Sequence, residues 1–157
     1  MAIVAVLIFM YFGPRLKGSL HIYPEKTAYV GGEMVSGKFE LTCKKEVVSN
    51  KLYASVYAEK QQTSFSSGDK QKTWVKIYEN QQTIEKATTY PAGHNKTYKF
   101  GIALPKSLSE NKEGVFAAID KAKSMLFQDK VRWWLEVRLD AKGLDLSKKQ
   151  GLVVSFA

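Results

Sequence analysis

"YVGGEMVSGKFEL", residues 29–41, sets a Gly pair and a Glu directly before a clean alternation. Val35, Gly37, Phe39 and Leu41 fall on one side of it, and Met34, Ser36, Lys38 and Glu40 on the other. A period of two marks a half-buried strand. The glycines allow a tight turn just ahead of that strand, because they carry no Cβ to clash in a bent backbone. Gly31-Gly32 is too little to read as a phosphate cradle. The stretch therefore reads as the head of a strand, with Val35, Phe39 and Leu41 entering a core.

Similar patterns recur along the chain. "SLHIY" (19–23) alternates and meets Pro24. "KLYASVYAEKQ" (51–61) puts Leu52, Ala54, Val56 and Ala58 against Tyr53, Ser55, Tyr57 and Glu59. "TWVKIYEN" (73–80) and "QQTIEKATTY" (81–90) read as further strands, and "KTYKFGIALP" (96–105) alternates up to a terminal Pro. "VRWWLEVRLDA" (131–141) sets Val131, Trp133, Leu135, Val137 and Leu139 against Arg132, Trp134, Glu136, Arg138 and Asp140, and "GLVVSF" (151–156) closes the series. The polar stretch between Gln61 and Lys72 reads as a loop. About eight short strands separated by turn signals predict an antiparallel sandwich or barrel. One segment departs from the pattern. Residues 113–129, "EGVFAAIDKAKSMLFQD", carry apolar residues at 115, 118, 119, 122, 125 and 126, which is helical spacing. One amphipathic helix inserted between strands is expected there.

The chain opens on twelve apolar residues, "MAIVAVLIFMYF", followed by Gly13-Pro14 and then Arg15 and Lys17. The run is shorter than the about 20 residues of a membrane span. Three readings stand open: a short membrane anchor or the end of a longer span, a strand buried in the sheet, or a weak signal peptide. Arg15 and Lys17 fit the positive-inside tendency for a cytoplasmic domain, so the expected location is cytoplasmic, with membrane association through residues 1–12 under the anchor reading. Gly13-Pro14 breaks a helix or a strand alike, which divides the chain into a segment 1–18 and a domain 19–157.

At 157 residues the chain suits one such domain with a real core. Its net charge of +9, from 24 Lys and Arg against 15 Asp and Glu, favours anionic partners without choosing among them. No nucleic-acid motif is found. A single cysteine, Cys43, excludes an intramolecular disulfide and any multi-thiol metal site, and it falls on the core side of its strand. His21 and His94 have no ligand at metal spacing, no pair of carboxylates marks an acid/base couple, and no nucleophile elbow or phosphate loop occurs. No catalytic residue, cofactor or metal is therefore expected. The chemistry that stands out is aromatic and cationic: Trp134 shares a polar strand face with Arg132 and Arg138, and Tyr53 and Tyr57 lie on the polar side of theirs. Trp, Tyr and Arg dominate interface hot spots, although Trp134 on such a face can equally be shielded and stacked by an Arg.

The order of these pieces resembles the N-terminal domain of arrestin-fold proteins. Tyr29, Gly32, Glu33, Val35 and Gly37 occupy the places of that family's Tyr-x-x-Gly-Glu-x-Val-x-Gly signature. Pro91, Ala92, Gly93, Phe100, Leu104 and Pro105 are similar to its small-residue turn, Phe-containing strand and Leu-Pro end. "VRWWLEVRLDAKGLDL" resembles the aromatic-rich strand that follows. The resemblance spans roughly residues 18–156. It implies an all-β, immunoglobulin-like (arrestin-type) antiparallel β-sandwich, here one domain where arrestins have two, and a non-enzymatic scaffold of the broader arrestin-like, sporulation-control type. The expected partner is a protein or membrane-protein tail, met through Trp134, Arg132, Arg138, Tyr53 and Tyr57. A membrane-anchored structural domain facing anionic lipid is the alternative, and a small-ligand carrier or enzyme a lesser one.

Overall fold

The computed structural model describes residues 17–108, 130–143 and 145–156. The apolar run at 1–12 and the helix expected over 113–129 lie outside these residues. Among the described residues no helix is long and apolar enough to cross a membrane.

Two sheets face each other. The smaller has the order β1-β3-β7, from Gly18–Pro24 (β1), Met34–Cys43 (β3) and Asn95–Ala103 (β7), all antiparallel. The larger runs β2-β9-β8-β4-β5, from Ala28–Val30 (β2), Leu146–Ser155 (β9), Val131–Ala141 (β8), Val47–Ser66 (β4) and Asp69–Glu85 (β5). A short strand, Thr88–Tyr90 (β6), also pairs with β4, and β2 joins β9 in parallel. This is the sandwich that the strand series predicts. The alternation places its apolar rows inward: Val35, Phe39, Leu41, Phe100 and Ile102 of the small sheet meet Leu52, Ala54, Val56, Leu135, Val137 and Leu139 of the large one in a single buried cluster. Cys43 belongs to it, and burial pushes its thiol up from the ordinary value.

The opening stretch forms a turn and the strand after it. Glu33 N donates to Val30 O at 3.0 Å, and Gly32 has φ +91°. A positive φ at the third turn position defines a type II turn and calls for Gly there. The turn is also a junction. Gly31 N donates to Ser155 O, Gly32 N to Pro105 O, and Leu104 N to Glu33 O. The Gly-Gly-Glu and Leu-Pro segments, more than 70 residues apart in sequence, thus hydrogen-bond to each other. Glu33 Oε2 accepts from Val30 N at 2.8 Å and its carboxylate pairs with Lys26 at 3.0 Å. The Val30 amide first, and Lys26 second, hold its carboxyl below the usual range. A carboxylate with a depressed folded pKa stabilises above its unfolded pKa of about 4.3 and loses that contribution as pH falls. Urea midpoints at about pH 6 and about pH 3 should therefore differ more in the wild-type chain than in Glu33→Gln. Equal differences would remove Glu33 from the acid response.

At the outer edge of β7, side chains cover the backbone. β7 offers Gly101 N and Ala103 O at its outer edge. Gly101 N donates to Gln82 Oε1 at 2.9 Å, and Asn80 Nδ2 donates to Ala103 O at 3.0 Å, both from β5. The two amides act as surrogate backbone and close this side of the sandwich.

Residues 61–72 form the end of a hairpin instead of a loop. β4 and β5 stay paired out to Ser66↔Asp69, and the connecting Ser67 and Gly68 have φ +52° and +82°. Two positive φ values in a two-residue connection make a type I′ turn, whose twist matches that of the strands. β8 pairs with β4 only as far as Lys60↔Val131. Beyond that row Gln61 N still donates to Lys130 O, but among the described residues no further strand pairs with β4 and β5, which continue as a two-stranded arm, about 20 Å long at about 3.4 Å per residue.

Candidate functional site

All five residues singled out in the sequence lie on the outer face of the large sheet. The register places Tyr57 opposite Trp134, Tyr53 opposite Arg138 and Glu59 opposite Arg132. Directly opposed residues share a face, so the tyrosine face of β4 and the Trp/Arg face of β8 are one surface. β9 adds Lys149, opposite Glu136, and β5 adds Trp74 and Lys76.

Cations lie over the rings of this surface. The Arg132 guanidinium is 3.9 Å from the centre of Trp74 and 5.5 Å from that of Trp134, and its Nη2 reaches Glu59 Oε2 at 2.9 Å. Lys149 Nζ stands 5.1 Å from the Trp134 ring and 5.5 Å from Tyr57, while Lys76 lies 4.6 Å over Tyr57. Lys51 lies 4.4 Å over Tyr53 and donates to Gln81. Such contacts contribute about 0.5–1 kcal/mol each at exposed sites. Their geometric effect is to cover the rings: Tyr57 is 4 % exposed and Trp134 half-buried. Trp134 is thus held in the surface layer, and its indole Nε1 is buried with no hydrogen-bond partner. The exposed part of the face is cationic, and its aromatics form the floor.

Electrostatics sort these cations. Lys76 pairs with Glu79, and that hydrogen bond raises its pKa. Burial works against the charge of Arg138, but nearby Glu136, Tyr53 and Asp145 outweigh it and hold its pKa above the usual value. Burial likewise raises the Tyr53 phenol, which stays neutral. Lys149 and Lys51 have no carboxylate within ion-pair distance among the described residues, which leaves them available to an incoming anion. Sequence reasoning missed Lys149, Lys76 and Trp74, because cross-strand register decides which strands share this face.

A second cluster of titratable groups lies at the end of the sandwich near Cys43. Tyr90 OH donates to Glu85 Oε1 at 3.0 Å, and His94 Nε2 lies 3.2 Å from Tyr98 OH. Burial pushes both phenols far above their ordinary range. Neutral tyrosines of this kind complete a core edge and supply no base. The other histidine, His21, is exposed on β1. Among the described residues no group of His, Cys, Asp and Glu side chains is arranged to hold a metal ion.

No protein-family model matches the chain, and no curated protein matches it in sequence. Its fold does have a counterpart among solved structures. Spo0M, a sporulation control protein from Bacillus subtilis, aligns with a TM-score of 0.62 at 17% identity, over 90% of this chain and 50% of that one. The chain thus spans half the length of the structure it matches. At this identity the likeness lies in the fold, and the chain has the arrestin-like β-sandwich fold that its turn motifs and strand order lead one to expect.

Proposed function

We propose that the chain is a non-catalytic adaptor module that takes a protein partner, or the tail of a membrane protein, on the outer face of its large sheet. The observation that carries this reading is the convergence of Tyr53, Tyr57, Arg132, Trp134 and Arg138 on one surface, joined there by Lys51 and Lys149. An aromatic floor overlaid by cations suits an acidic segment. Arg and Lys supply the charge, while the rings give apolar area at low entropic cost. The arrestin-like fold supports a scaffold role only by analogy. The test compares partner capture by the wild-type chain with capture by Lys51→Gln/Lys149→Gln. Capture should weaken about tenfold in a chain that stays folded, with its melting temperature lowered by no more than about 10 °C through the lost cation–π contacts, whereas unchanged capture would remove this face as the docking surface.

A second reading, attachment at a membrane surface, is favoured by the apolar run 1–12 with Arg15 and Lys17 behind it and by the net charge of +9.

A further inference from the structure

The described side chains of the hairpin arm are almost all exposed, and Phe65 lies next to its tip. Phe65 is 75% exposed, the most exposed of the large hydrophobic side chains among the described residues. Gln62, Thr63 and residues 67–73 are exposed as well. The register fixes what surrounds the ring. Lys70 is directly opposite Phe65, and Thr63↔Lys72 is the next pair on that face. The one carboxylate of the tip, Asp69, pairs with Ser66 on the opposite face. Glu59 and Glu79, which neutralise cations at the base, are four or more residues back from Lys72 and six or more from Phe65 and Lys70, about 14–20 Å away. That exceeds the Debye length of about 8 Å, so Lys70, Lys72 and Asp69 set the field at the tip.

We propose that the arm places Phe65 in the interfacial layer of an anionic bilayer, with Lys70 and Lys72 among the headgroups. Size argues for a bilayer over a protein surface. A stable protein interface covers about 800 Å² per partner, and a tip two strands wide, strands being about 4.8 Å apart, offers far less. A bilayer needs only an apolar point and cations whose stems reach back toward water, and this face supplies both. One ring and two lysines give weak, reversible attachment, since firm anchoring takes more buried apolar surface. The inference goes beyond the partner face and differs from attachment through residues 1–12. Lys17, where that segment joins the sandwich, hydrogen-bonds Lys142 and Lys44 at the end where β4 begins. β4 spans 20 residues, so the tip lies roughly 65 Å from that end.

The test uses the full chain on phosphatidylcholine vesicles with and without phosphatidylserine. In Phe65→Trp, lipids brominated on their acyl chains should quench emission beyond the quenching seen with the wild-type chain, and only when phosphatidylserine is present. Phe65→Ser and Lys70→Glu/Lys72→Glu should each weaken partition about tenfold or more. Binding without extra quenching at position 65 would mean attachment through the other end and overturns the proposal. So would absence of binding, or loss of protein capture in Phe65→Ser with vesicle partition unchanged. The Lys51→Gln/Lys149→Gln variant should partition like the wild type, which separates this result from the fate of the partner face.

Discussion

Phe39→Ala is expected to destabilise the domain by about 3–5 kcal/mol. Phe39 is fully buried at the centre of β3, stacked on Tyr98 at 5.2 Å and 19° and tilted against Phe100 at 6.4 Å and 32°. Both neighbours are on β7, the strand paired with β3, and Tyr98 is its direct cross-strand partner. The backbone ladder holds these rings at their spacing, so the cavity cannot collapse, and the full cost of the void adds to the lost transfer energy. For a chain of this size the melting temperature should fall by about 10 °C. Urea unfolding measures the loss directly, and a loss below about 1 kcal/mol would mean that the two sheets do not pack through this ring.

Gly37→Ala should cost about 2–3 kcal/mol, although it adds only a methyl group. A Cβ at Gly37 would stand 2.6 Å from Tyr23 O and 2.8 Å from Pro24 Cα on β1, with the Phe100 ring at 3.1 Å on the other side. Two of those neighbours are backbone and cannot turn away, so β1 must shift from β3. The control is Gly101→Ala on β7, where the Cβ meets Met34 Sδ at 3.0 Å. A methionine side chain changes rotamer easily, so the cost there should be much smaller. Equal costs at the two sites would show that side-chain crowding, rather than the approach of the β1 backbone, keeps position 37 a glycine.

These two residues also show what could be read from the sequence. Phe39 and Gly37 stand in one alternation, and the alternation alone places both on the core side. That followed from period two, as did the inward rows of β4, β7 and β8. The Gly-Gly-Glu turn was legible for a related reason, since a glycine pair before a strand has few other uses. The arm was not legible. Gln61 to Lys72 reads as a loop because an arm with no sheet against it buries no apolar row, and its Ser, Thr and Gln side chains leave no period to detect. Its one signal was the Ser-Gly pair between two polar runs. The candidate site was half legible. The residue types on β4 and β8 stood out, but that their faces are one surface depends on pairing Tyr57 with Trp134, and register is a long-range property. The shielding of Tyr57 by Lys76 and Lys149 depends on two further strands, β5 and β9, in the same way.

Partner capture by charge-neutralised variants of the two outer faces tests the docking surface most directly. Lys51→Gln/Lys149→Gln removes two cations from the large sheet, and Lys38→Gln/Lys99→Gln removes a cross-strand pair from the outer face of the small sheet. Both changes remove charge from surface side chains; the first also removes the cation–π contacts of Lys51 and Lys149 and should cost about 1–3 kcal/mol while leaving the domain folded. A partner recovered by the wild-type chain should be lost by the first variant and retained by the second. Retention by the first together with loss by the second would place the docking surface on the small sheet and contradict the adaptor face described here.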